Sequence, residues 1–203
     1  VPSAFTGPSE VVVVADGTSP AEFTATDLVA QTEHGPDGMS WLVTWDEAVA
    51  DAVDAALDGV LKNAPRGTEI AGTLASSGRC VLVDDEQQAL AVVDAISPEH
   101  LQLMVDAPEN LAERVRNAGA VFLGPWTPTS IGDYVAGPSH VLPTAGTARF
   151  AGALTVADFT KDVNLVTADP DALRRLGPHV EALAVAEGLE AHAESIRVRR
   201  QHG

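Results

Sequence analysis

With 203 residues, 45% of them hydrophobic, the chain can bury the core of one domain plus an appendage, or of two small domains. Its net charge of −17 argues against nucleic acid and anionic membranes as partners. The single cysteine, Cys80, excludes an internal disulfide and a cysteine-based zinc site, and no apolar run approaches the length of a membrane span. Nothing at the start reads as a secretory signal, so a reducing, cytoplasmic setting is expected. The first residue is Val1 rather than Met, shortly before a strand-like run, and the chain reads as a piece of something longer.

Residues 1–9 read as a lead-in that turns at Gly7-Pro8-Ser9. Residues 10–15 are a continuous β-branched run, the pattern of a strand buried on both faces in a parallel sheet. After a turn at 16–18, Ser19-Pro20-Ala21-Glu22 predicts a helix start with Ser19 as N-cap, Pro20 at the first helical position and Glu22 closing a capping box. That helix runs to about Glu33 and stops at His34-Gly35-Pro36. Strands are expected at 39–45, 79–84, 101–105 and 120–124, and helices at 46–63, 68–75, 86–96 and 110–117. Alternation of this kind implies an α/β fold: a mostly parallel, Rossmann-like sheet flanked by helices, with ligands off the carboxyl ends of the strands. That domain would span 1–153 and be incomplete at the amino terminus. Residues 154–203 change character: a short strand or turn at 154–159, then helices at 170–175 and 180–200 separated by Gly177-Pro178. A tail of that size cannot hold a core alone and is expected to dock on the main domain or on a partner chain.

One stretch, residues 131–150, fits no helical or alternating period and is punctuated by glycine and proline, so it reads as a long loop over the scaffold. Such loops inside compact domains are usually functional. It carries Asp133 and His140, which can bind metals or carry protons. Elsewhere, Gln31 and His34 lie three apart at a helix end, Glu99 adjoins His100, and Glu187 and His192 sit in the last helix. Each has an ordinary reading too. His34 suits a helix carboxyl terminus, Glu99-His100 suits an exposed connection, and Glu187 and His192 suit a solvated helix face.

Taken together, however, the segments Gly7-Pro8-Ser9-Glu10, Gln31-Thr32-Glu33-His34, Ser97-Pro98-Glu99-His100-Leu101, Gly132-Asp133-Tyr134, His140-Val141-Leu142-Pro143-Thr144, Gly146-Thr147-Ala148-Arg149 and Glu187-Gly188-Leu189-Glu190-Ala191-His192 stand in the order found in histidinol dehydrogenases. The resemblance covers nearly the whole chain. It implies oxidation of L-histidinol to L-histidine with NAD, through histidinaldehyde, by a cytoplasmic homodimer holding one zinc per subunit. By that resemblance Gln31, His34, Asp133 and His192 are zinc ligands and Glu99 and His100 are the catalytic acid–base pair. Ser9, Gln31, His34, His100, Asp133, Glu187 and His192 contact histidinol, and the tail reaches the partner subunit. Members of the family are much longer, with the missing part, and the NAD-holding segments, before Val1; no NAD-binding residue is therefore assigned. The alternative is a truncated paralogue that binds imidazole compounds or a partner chain without catalysis.

Overall fold

The computed structural model describes residues 7–202, so the first six residues of the expected lead-in lie outside it. Five parallel strands form one sheet: β1 (Glu10–Ala15), β2 (Met39–Thr44), β3 (Gly78–Leu82), β4 (His100–Met104) and β5 (Ala120–Leu123), in the order β3-β2-β1-β4-β5. The helices between them are α1 (Ala21–Thr32), α2 (Glu47–Asn63), α3 (Gly67–Ser77), α4 (Glu86–Ile96) and α5 (Pro108–Ala112). The fold is the α/β class expected, with β1 at the centre because its valines bury both faces. Val11 and Val13 pack with Ala25 and Leu28 of α1 and Val49 and Val53 of α2. Val12 and Val14 pack on the opposite face with Leu90 and Val93 of α4 and Leu111 of α5. The pleat sends alternate residues to opposite sides, so only an unbroken apolar run fills both layers.

Local sequence explains most boundaries. The Asp46 carboxylate accepts the Ala48 N–H and starts α2, and Asp85 does the same for Gln88 in α4. Ser19, by contrast, is not a cap. Pro20 takes that position, and the Ser19 hydroxyl donates instead to the backbone carbonyl of Met104 while accepting the Asp16 N–H. The Asp16 side chain also accepts the N–H groups of Thr18 and Asp106. These bonds tie off the carboxyl ends of β1 and β4, and a long-range contact overrides the local capping signal. The helix expected at 110–117 is one short turn, α5, starting at Pro108 and followed by turns.

The stretch at 131–150 is not a loop throughout. Its start belongs to a six-residue helix, α6 (Thr129–Tyr134), and Thr147–Arg149 form a single 3-10 turn. A second 3-10 turn, Val156–Phe159, stands where a short strand or turn was expected.

The chain divides into two compact units, one ending at Thr160 and one beginning at Lys161. The second unit is a pair of helices, α7 (Pro170–Ala186) and α8 (Glu190–His202). The expected interruption at Gly177-Pro178 does not occur, since α7 runs through both residues. Proline costs the helix one hydrogen bond there, and the packing of α7 on α8 keeps the helix going. The break falls instead at Gly188, whose φ of +74° suits glycine and ends α7. Ala184 and Ala193 are buried in the hairpin, and Arg197 and Arg200 pair with Glu181. Leu176, Leu183 and Val185 remain at least half exposed. Among the described residues no helix is long and apolar enough to cross a membrane.

Cys80 lies exposed on the edge strand β3. Partial burial raises the pKa of its thiol, and the charges of Asp54 and Asp51 push the same way. Less thiolate at neutral pH means slower alkylation. Iodoacetamide should therefore label Cys80 more slowly at pH 7 than it labels free cysteine, and Asp54→Asn should speed it. Labelling as fast as free cysteine would contradict this.

Candidate active site

Parallel strands β1 and β4 are neighbours, with Val11 beside His100. One rung earlier, at their amino ends, stand Glu10 and Glu99. Each carboxylate accepts the other residue's backbone N–H: Glu10 N donates to Glu99 Oε2 at 3.0 Å and Glu99 N donates to Glu10 Oε2 at 3.3 Å. The Ser9 hydroxyl adds a third bond, to Glu99 Oε2 at 2.8 Å. Glu10 Oε1 accepts the Ala145 N–H at 2.8 Å, and the Gly7 N–H reaches Thr144 Oγ1 at 2.6 Å. The 140s segment is thereby fastened over the mouths of β1 and β4.

Glu10, Glu99 and His100 are all buried. Burial raises the pKa of the Glu10 carboxyl; the N–H groups of Ala145 and Glu99 pull it back, Glu99's charge raises it further, and His100 lowers it.

His100 has a defined tautomer. Its Nδ1 lies 2.9 Å from the Glu10 carbonyl, which can only accept, so Nδ1 carries the proton. In the neutral ring Nε2 is then the basic nitrogen. It is buried, has no hydrogen-bond partner among the described residues, and lies 3.6 Å from Asp133 Oδ1. Glu99 Oε2 lies 3.5 Å from Nδ1 on the other side. Asp133 reaches this point because Gly132 precedes it in α6. A Cβ on Gly132 would fall 2.6 Å from two carbons of the Phe122 ring, so only glycine lets α6 sit down on β5. Phe122 in turn stacks at a tilt beside His100, with ring centroids 5.9 Å apart. His100, Phe122, Gly132, Asp133 and His140 share a cavity of about 210 Å³.

The structure therefore joins Ser9, Glu99, His100 and Asp133 into one cluster. Glu99-His100 is not the exposed connection that its local sequence allowed. Gln31 and His34 form a second pair: α1 returns toward the amino ends of the strands, and Gln31 Nε2 lies 3.5 Å from His34 Nδ1. Gln31 is buried and His34 exposed. Glu187 and His192 lie in the second unit, both exposed, at the end of α7 and the start of α8. Among the described residues no group of three or more His, Cys, Asp or Glu side chains is close enough to hold a metal ion. The cluster sits at the amino ends of β1 and β4, not at the carboxyl ends where open α/β sheets usually bind ligands. Sequence reasoning also passed over Glu10, Phe122 and Thr144. For Glu10 a signal was present: an acid opens each of two adjacent apolar strands, at Glu10 and at Glu99.

The family model described as histidinol dehydrogenase matches residues 3–200. The chain belongs to the histidinol dehydrogenase family. It is 48% identical to the histidinol dehydrogenase of Nitrobacter winogradskyi over 193 residues, which is 95% of this chain and 45% of that protein. It is 48% identical to that of Caulobacter vibrioides over 200 residues, 98% of this chain and 46% of that protein. The crystal structure of histidinol dehydrogenase from Elizabethkingia anophelis superposes with a TM-score of 0.88 at 34% identity, over 98% of this chain and 46% of that one. The chain thus spans about half the length of the relatives it matches.

Proposed function

We propose that the chain is the carboxyl-terminal part of a zinc-dependent enzyme that oxidises L-histidinol to L-histidine with NAD, acting in the cytoplasm as a homodimer. The observation that carries the chemistry is the state of His100. Its Nδ1 proton is committed to the Glu10 carbonyl, and its bare Nε2 faces a cavity beside Asp133. That is the arrangement of a general base. His100 Nε2 takes the hydroxyl proton of the alcohol as hydride leaves the same carbon for NAD, giving the aldehyde. The positive charge that forms on the ring faces the Asp133 carboxylate. Glu99, held through Oε2, then removes a proton from water as it adds to the aldehyde. The oxyanion takes the proton held on His100 to give the diol, which passes a second hydride to a second NAD as its hydroxyl proton returns to His100. The acidic balance of the chain suits a cationic substrate.

Gln31, His34, Asp133 and His192 offer an amide, two imidazoles and a carboxylate, a donor set that fits zinc in its chemistry. Gln31 and His34 already stand side by side, and the Gln31 amide can turn its oxygen to that point. Bound there, zinc would supply a charged template for the substrate's nitrogens. Ser9, Glu187 and His192 complete the proposed contacts to histidinol, with the second unit docking on a partner subunit.

The test is histidinol-dependent NADH formation by this chain with zinc, alone and then mixed with the amino-terminal half of the Caulobacter relative. Activity on mixing is expected. Folded, zinc-loaded material that stays silent in both would overturn the catalytic reading and favour a non-catalytic paralogue that binds imidazole compounds.

A further inference from the structure

The residue that organises the cluster is one that no acid–base step uses. Glu10 makes every one of its polar contacts to backbone or to the pair beside it. Its carboxylate grips two N–H groups, Ala145 through Oε1 and Glu99 through Oε2. Its own N–H holds Glu99 Oε2, and its carbonyl fixes the proton on His100 Nδ1. The Glu10 and Glu99 bonds are reciprocal, so neither carboxylate can swing without releasing a buried N–H, which would cost free energy on both strands. Ala145 carries the unusual φ of +53° for a residue with a side chain. A single charged acceptor thus holds a strained loop residue and the backbone of Glu99 at once. Burying an acid at this rung raises its pKa, a cost with no counterpart in packing alone.

We propose that Glu10 is a positioning residue: its carboxylate sets the angle at which Glu99 and His100 meet the substrate, by clasping the Glu99 backbone and the Ala145 loop together. This inference rests on the acid–base reading of Glu99 and His100. Misplacement of a catalytic group by a fraction of an ångström lowers turnover more than binding, because substrate contacts made elsewhere persist.

Glu10→Gln preserves shape but turns an amide NH2 toward one of the two N–H donors. In the mixed, NAD-reducing enzyme it should lower kcat about 10- to 100-fold and leave KM for histidinol within about threefold. In a Glu99→Gln background the same change should cost less than it does in the wild type, because one of the two groups it positions is already gone. If Glu10→Gln does not fold, Glu10→Asp keeps both acceptor oxygens one methylene short and should show the same pattern, with a smaller loss. An unchanged kcat, a loss that multiplies fully with Glu99→Gln, or a rise in KM alone would overturn the proposal. A wild-type enzyme that never reduces NAD with histidinol defeats the catalytic reading itself and this inference with it, and that result is distinct from an active enzyme indifferent to Glu10.

Discussion

His100→Asn should slow histidinol-dependent NADH formation about 100- to 10,000-fold, the range for loss of a general acid–base group. Asparagine is chosen because its amide nitrogen can occupy the place of Nδ1 and keep the bond to the Glu10 carbonyl. What disappears is Nε2, the buried nitrogen beside Asp133. The ring contact with Phe122 also goes, at a cost to stability of about 1–2 kcal/mol that a urea melt would read. If turnover falls only in proportion to the unfolded fraction, His100 is a packing residue and the proposed role fails. Glu99→Gln gives the complementary result. The first hydride transfer should persist while aldehyde hydration stalls, so NADH per histidinol consumed should drop from two towards one.

Much of this arrangement can be read from the chain, and the parts that cannot share a cause. The strands show because β-branched runs suit a sheet covered on both sides, and α4 shows because Asp85 caps an amphipathic segment with a local bond. Where tertiary contacts decide, local rules mislead. Ser19 looks like a cap, yet its hydroxyl goes to Met104, 85 residues away in sequence. Residues of α6 look like loop because a six-residue helix containing glycine has too few turns to display a period; what stabilises it is Gly132 resting on Phe122. The Gly177-Pro178 pair looks like a break, yet Gly177 lies buried in the hairpin and α7 continues. The site follows the same division. Glu99, His100 and Asp133 were nameable through a resemblance, but the Glu10–Glu99 clasp exists only once β1 and β4 are neighbours. So does its position at the amino ends of the strands.

A glycine near that clasp offers the sharpest test that fold and site are one structure. Gly119 donates to the Pro98 carbonyl, and Ala120 donates to the Glu99 carbonyl. A Cβ at 119 would lie 2.6 Å from the Glu99 carbonyl oxygen and 3.1 Å from Pro143 Cδ. Neither neighbour can yield easily: one is backbone at the mouth of β4 and the other is a ring in the segment that Glu10 holds. Gly119→Ala should therefore destabilise the first unit by about 1–3 kcal/mol, the usual cost of overpacking, measured by urea denaturation. It should also lower turnover by up to about 100-fold under conditions where the protein is fully folded, because the backbone that must move carries Glu99. Gly59→Ala is the contrast. Its Cβ meets nothing within 4 Å, and Gly59 lies within α2, where alanine is the better helix former. That change should stabilise the protein by about 0.5–1 kcal/mol and leave turnover alone. If both alanines behave alike, the close approach at Gly119 does not constrain the site; if only Gly119→Ala loses activity, the packing of that turn sets the geometry of Glu99.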